Sequence, residues 1–157
     1  MDLADAIRTL AEELQLPDIA PDEDGSYSIV FDGDLVLEIL PWDNRTFLMR
    51  TTLVPLPSEP EKEKLMVQRV LQFSLAKLRC RLTSTSLDPA SRRLILSRVL
   101  QSTALRPFEF IAAVEDFLND IELWMKFLES GAATTPGGNA SYTNSSQAYQ
   151  PMMIIMP

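Results

Sequence analysis

The sequence predicts an α+β fold, a twisted antiparallel sheet covered by helices in the order α-β-β-β-α-β-β-α and assembled as a homodimer. Three observations carry this. Short strand-like runs separated by turn residues lie between segments of helical periodicity, so hairpins join the strands. The chain has 157 residues, 46% of them apolar, which is hydrophobe for one core. The apolar residues of the central helix spread around most of its circumference, more than one face of a small sheet can cover.

The first helix is predicted from Asp2 to Leu14. Leu3, Ile7, Leu10 and Leu14 recur at 4-3-4 spacing, one stripe on a helix, and Asp2 is placed to cap it. Pro17 and Pro21 stop it, and Asp22-Glu23-Asp24-Gly25 is a turn. Strands are predicted at Ser26–Phe31, Leu35–Leu40 and Thr46–Val54, the first two joined by Asp32-Gly33 and the next pair by Pro41-Trp42-Asp43-Asn44. Pro55, Pro57 and Pro60 form a stiff linker, and Glu61 suits the positive end of the helix that follows, Glu61 to Lys77. Leu65, Met66, Val67, Val70, Leu71, Phe73, Leu75, Ala76 and Leu78 are its apolar positions. Half of them suffice for an intrachain core, for instance Leu65, Val67, Leu71 and Leu75. The remainder, Met66, Val70, Phe73 and Leu78, are the expected dimer interface, since leaving such side chains wet forfeits about 1.5–3 kcal/mol each.

Two more strands, Arg79–Thr83 and Arg93–Leu100, flank the turn Leu87-Asp88-Pro89-Ala90-Ser91. A last helix runs from Pro107 to about Leu128, with Phe110, Val114, Phe117, Ile121, Trp124 and Leu128 inward and Asp116, Asp120 and Lys126 toward solvent; Gly131 ends it. Residues 1–130 are thus one domain. Residues 131–157 read as a flexible polar tail that ends in the apolar run Pro151-Met152-Met153-Ile154-Ile155-Met156-Pro157.

Charge and inventory exclude several functions. The net charge is −8 and unevenly spread, with −7 over residues 1–25, +6 over 77–106 and −5 over 107–129, and no charged side chain over 130–157. An overall acidic chain is a poor nucleic-acid binder, and the basic strip of Arg79, Arg81, Arg92, Arg93 and Arg98 reads as a solvated strand face or a surface for an acidic partner. The absence of His removes the usual general base, the usual zinc ligand and the Ser-His and Cys-His pairs. Five glycines form neither a dinucleotide fingerprint nor a phosphate loop. The lone Cys80 lies between Arg79 and Arg81 without a base beside it, and Asp22, Glu23 and Asp24 lack calcium-loop spacing. No catalytic residue, cofactor or metal is expected. No run approaches the roughly 18 apolar residues of a membrane span, and the start of the chain lacks a secretory leader pattern, so a cytosolic protein without membrane insertion is expected.

The element order, the acidity and two groups of residues resemble the class I chaperones of type III secretion, the Tir chaperone (CesT) family. The first group is Leu16-Pro17, Asp22-Glu23-Asp24-Gly25, Tyr27-Ser28-Ile29-Val30-Phe31 and Asp32-Gly33-Asp34. The second is Leu87-Asp88-Pro89, Arg93-Leu94-Ile95-Leu96, Phe117-Leu118, Glu122-Leu123-Trp124 and Leu128. The likeness spans Leu3 to Leu128 and leaves the Pro151–Pro157 run outside it. It implies a homodimer in the bacterial cytoplasm that holds the extended N-terminal part of one or more secreted effectors, with the secretion ATPase as a further partner. A regulatory protein of the same fold, sequestering an activator or anti-activator, fits the same residues.

An extended partner needs sheet edges and apolar pockets. The first helix and the adjoining sheet nominate Leu3, Ile7, Leu10 and Leu14 with Ile29, Phe31, Val36, Trp42 and Met49 as its binding surface. Each has a plainer reading, since a leucine stripe is also how a helix docks on its sheet. Trp42 alone falls where a turn exposes it.

Overall fold

The computed structural model describes residues 2–31, 35–77, 82–103 and 105–132, with the side chains of the last two left aside. The Asp32-Gly33 turn, Leu78, Arg79, Cys80, Arg81 and residues 133–157 lie outside the described residues.

Helix α1 spans Leu3–Glu13, and the Asp2 carboxylate accepts from the Asp5 N–H at 2.8 Å, satisfying one of the donors that every helix start leaves open. Its end is closed without glycine. Gln15 takes φ 53°, and the Leu16 N–H reaches back to the Ala11 carbonyl at 2.9 Å. The stripe works as expected: Leu3, Ile7 and Leu10 are buried, and Leu14, at the cap, is partly exposed.

Strands β1 (Tyr27–Phe31), β2 (Leu35–Asp43) and β3 (Thr46–Pro55) form an antiparallel meander; β4 (Thr83–Asp88) and β5 (Arg93–Gln101) form a hairpin. The sheet order is β1-β2-β3-β5-β4, so β3 and β5 zip the two units together and β1 and β4 are the edges. Two expectations need correction. β2 continues through Pro41 and Trp42, with a register shift between Pro41 and Asp43, because Asp43 makes the turn by accepting from the Arg45 N–H at 2.7 Å. β4 is Thr83–Asp88, so the expected turn at Leu87 and Asp88 is instead the strand's end, which pairs with Leu94 and Arg93; of the expected strand Arg79–Thr83, residues 79–81 lie outside the described residues. The polar run Thr-Ser-Thr-Ser carries no apolar alternation, so only pairing with β5 defines it as a strand.

Helix α2 (Pro60–Lys77) and helix α3 (Pro107–Ala132) complete the chain. α3 starts on Arg106, whose N–H donates to the Glu109 carboxylate at 2.8 Å, and it runs through Gly131 instead of stopping there. Its Phe110, Val114, Phe117, Ile121 and Trp124 are buried with Ile29, Leu37, Ile39, Met49 and Leu96 of the sheet and with the α1 stripe, which is the core. Leu128 is only partly buried against it.

Two polar side chains also lie where the sequence does not predict them. Asp120 is 3% exposed and accepts from the Thr83 hydroxyl at 3.1 Å, so it faces β4, not solvent. Arg98 is not part of a solvated strand face: it lies in register with Met49, donates to the Ala113 carbonyl at 3.1 Å and has the Asp116 carboxylate 3.7 Å away. A guanidinium under a helix is tolerated because its Nη1 meets oxygen acceptors there, while its Nε is buried without a hydrogen-bond partner.

α2 packs on α3 and β4. Phe73 stacks on Phe127 with centroids 4.1 Å apart and meets Trp124 edge-on at 4.7 Å; Arg69 lies over the Phe127 ring. Ser74 and Thr85 share a hydrogen bond at 2.8 Å. Hence Val70 is buried and Met66 and Phe73 are partly buried against the core, whereas Leu65, Leu71 and Leu75 are exposed. This reverses the expected division of that helix.

Candidate functional site

Most of the exposed apolar surface falls into three regions set by the fold; Phe108, at the start of α3, is exposed outside them. One is the outer side of α2, where Leu71 and Leu75 are adjacent on the helical wheel and Leu65 flanks them. Leu82, just before β4, is exposed too. The three leucines of α2 are the candidate self-association face in place of Met66, Val70 and Phe73.

The second region is the sheet face away from the helices. Strand alternation sends Leu37, Ile39, Met49 and Leu96 inward and leaves Val30, Val36, Leu40, Leu48, Ile95 and Val99 on the outside, where a two-layer fold ordinarily carries polar residues. Register organises them. Val30 pairs with Val36, Thr52 pairs with Ile95, and the β2–β3 register sets Val36 beside Thr52; Leu40, Leu48 and Val99 form a second stripe. Between the stripes runs a polar row in which Ser28 pairs with Glu38, Glu38 with Arg50 and Arg50 with Ser97. Arg50 Nε donates to the Glu38 carboxylate, so the two charges in the middle of this face neutralise each other. A concavity of about 540 Å³ opens there, lined by Glu38, Arg50, Thr52, Ile95, Leu87 and Pro89 among others.

The third region is the edge around β1 and the β2 bulge. β1 pairs on one side only, with β2, so one row of its backbone groups is unpaired by strands. Trp42 stands at the bulge with 64% of its surface exposed. Asp22 and Asp24 bind the hydroxyls of Ser26 and Ser28, fastening the turn before β1. That Ser26 hydroxyl, with the Ser26 N–H, holds the Asp24 carboxyl below its ordinary value; the Arg45 N–H does the same for Asp43.

Of the nine nominated partner-binding residues, the structure places Leu3, Ile7, Leu10, Ile29 and Met49 in the core, where a bound chain does not reach them without opening the domain. Phe31 is partly buried. Leu14, Val36 and Trp42 are exposed. Periodicity marks an apolar face without saying what covers it; here α3 covers the core members. The outer residues Val30, Leu40, Leu48, Ile95 and Val99 lie beyond the sequence-based expectation, although the strands Tyr27–Phe31 and Thr46–Pro55 carry apolar residues in both alternation phases.

Among the described residues no group of three or more metal-ligating side chains comes together, and no helix is long and apolar enough to cross a membrane. The surface offers apolar patches and unpaired strand edges, which is chemistry for holding a polypeptide.

Comparison with known proteins gives one family and a set of solved folds. The family model described as Tir chaperone protein (CesT) family matches residues 5–125. No curated protein matches. Among solved structures, the chain is similar to one in the ExsC–ExsE complex, at 22% identity over 82% of this chain and 97% of that one, with a TM-score of 0.64. It is also similar to one in the HopA1–SchA chaperone–effector complex, at 15% identity over 80% and 91%, TM-score 0.62. A third is the Yersinia pestis type III secretion chaperone SycH in complex with a stable fragment of YscM2, at 14% identity over 76% and 97%, TM-score 0.58. At these identities the structures show a shared fold.

Proposed function

We propose that this chain, which belongs to the Tir chaperone protein (CesT) family, is a cytoplasmic bacterial chaperone of type III secretion. It binds the extended N-terminal region of one or more effectors and keeps them competent for export. It acts as a homodimer through the outer side of α2, and the secretion ATPase is a further partner.

The observation that carries the reading is the edge strand β1 with apolar residues on hand beside it. Val30 is 64% exposed on β1, and Val36 pairs with it. An extended segment lying along β1 satisfies unpaired backbone groups of the edge and sets alternate side chains toward these residues, while Trp42 supplies an anchor at the far end of β2. An unfolded effector segment suits such a site because its backbone donors and acceptors are free. The exposed leucines of α2 support the dimer: a self-complementary contact buries Leu65, Leu71 and Leu75 twice over.

The experiment is affinity capture by the full chain from bacteria that are actively secreting, followed by identification of the captured protein and of the part bound. Capture of an exported protein through its N-terminal region is expected. Capture of a transcription regulator that is never exported would overturn the reading.

A further inference from the structure

We propose that the outer sheet face holds an extended polypeptide segment with apolar, basic and apolar side chains at alternate positions, the basic one entering the concavity between Glu38 and Asp88. This deepens the effector-binding reading and rests on it for whose segment is bound. Register, charge and area carry it.

Register sets the spacing. Along β2 the outward residues are Val36, Glu38 and Leu40; along β5 they are Ile95, Ser97 and Val99. Each strand thus presents apolar, polar, apolar at two-residue intervals of about 6.6 Å, and the ladders align these into two apolar stripes with the polar row between them. A segment lying along the strands repeats the same interval, because its own alternate side chains point to one side. Its first and third inward side chains then meet the two stripes, and the one between them meets the polar row. An apolar side chain at that middle position would take Glu38, Arg50 and Asp88 out of water with no bond in return.

Charge names the middle side chain. The concavity of about 540 Å³ has Glu38, Asp88 and Arg50 in its lining, two carboxylates against one guanidinium. Arg93, opposite Asp88 in the ladder, does not line it. Arg50 Nε donates to one oxygen of Glu38, and Asp88 accepts from the Ala90 N–H at 3.0 Å and from the N–H and hydroxyl of Ser91. A carboxylate offers about four acceptor sites, so both keep room for a further donor. The Ser91 hydroxyl and the Ala90 N–H hold the Asp88 carboxyl below its ordinary value, with Arg50 adding to this, so it is ionised at neutral pH. Toward β1 the polar row reaches Ser28, whose hydroxyl donates to Asp22 at 3.0 Å, a further carboxylate. A lysine or arginine of the bound segment offsets the surplus negative charge while its N–H groups meet the open oxygens.

Area decides between a segment and a second copy of the chain. The stripes and the row between them cross at most five strands and about four residues, and the roughly 250 Å² this makes falls well short of the about 800 Å² per partner of a stable interface. A single extended segment fills it.

The full chain with methyl-labelled Ile, Leu and Val is titrated, with NMR detection, with the synthetic peptide acetyl-Thr-Val-Thr-Arg-Thr-Val-Thr-amide and with the same peptide carrying Glu in place of Arg. The arginine peptide should shift the methyl signals of Val36, Ile95 and Val99 and leave that of the core residue Ile39 in place, and the glutamate peptide should bind at least about tenfold more weakly. Asp88→Asn, whose amide oxygen still serves the turn, should erase most of that difference, and Glu38→Gln should reduce it. Unmoved outer signals overturn the proposal, and so do equal binding of the two peptides or a difference that both variants leave unchanged. Outer signals that move when the chain alone is diluted assign the face to a second copy and overturn it as well. Failure of the effector reading appears elsewhere, as capture of a regulator that is never exported, with the peptide titration unaltered.

Discussion

Val70 and Leu71 are neighbours on α2 and differ in what covers them: Val70 is 7% exposed and belongs to the core, and Leu71 is 58% exposed on the outer side. One helix therefore has two apolar sides, of which only one is covered within the chain. Its inner side completes the core through the stack of Phe73 on Phe127, and its outer side leaves Leu65, Leu71 and Leu75 for another surface.

Substitutions on the outer side test self-association without touching the core. The unmodified chain is expected at close to twice 17.7 kDa by light scattering at micromolar concentration. Leu71→Glu with Leu75→Glu should yield the single-chain mass with an unchanged circular dichroism spectrum, because a charge desolvated at an isologous contact costs both halves at once. A monomeric unmodified chain would refute the dimer.

Phe73→Ala should behave differently, as a stability variant. It removes ring contacts with both Trp124 and Phe127, and a loss of about 2–3 kcal/mol is expected in urea unfolding, reduced from a fully buried phenylalanine because Phe73 is only partly buried. An unchanged midpoint would mean that α2 does not pack on α3 in solution.

Trp42→Glu should abolish partner capture and leave dimer mass and circular dichroism intact, since it withdraws an exposed apolar anchor and adds a charge to be desolvated. Reversing Arg92 and Arg93, both exposed, should mainly change salt dependence and association rate. Arg92 pairs with Glu63 at 2.7 Å, but an exposed pair is worth only about 0–1 kcal/mol, so the fold should tolerate its loss. If the arginine variant loses the partner at every ionic strength while Trp42→Glu keeps it, the apolar surface is the wrong site.

Gln15 occupies a left-handed position that favours glycine. Gln15→Gly should stabilise the domain by up to about 1 kcal/mol, read as a rise in the urea midpoint, because the strain of φ 53° on a side-chain-bearing residue is removed. A fall would indicate that the Gln15 side chain contributes more than its backbone costs.

Acid should weaken the turns. Asp24 is held below its ordinary value of 3.8 by the Ser26 hydroxyl, Asp43 by the Arg45 N–H and Asp88 by the Ser91 hydroxyl. A depressed folded value means stabilisation that is complete above the unfolded value and is lost as pH falls through the folded one. The urea midpoint should therefore drop below about pH 4, and Asp24→Asn with Asp88→Asn should make that drop shallower.

What the sequence determined by itself is what neighbouring residues decide. Asp2 capping α1, the Leu3, Ile7 and Leu10 stripe, Pro107 opening α3 and the hairpin order of the strands are all local, because a cap, a period or a proline acts within a few residues. Where a glycine is present without effect, as at Gly131, the local signal misplaces an end. The tertiary structure decided which of two apolar faces is covered. Val70 and Leu71 are equivalent as hydrophobes, and so, along the strands, are Met49 and Leu48; only the placement of α3 on one side of the sheet sends Met49 into the core and leaves Leu48 outside. The same placement buries Asp120 against Thr83 and draws Arg98 under α3. Periodicity fixes that faces exist, and a packed neighbour, brought from far along the chain, fixes which one sees water.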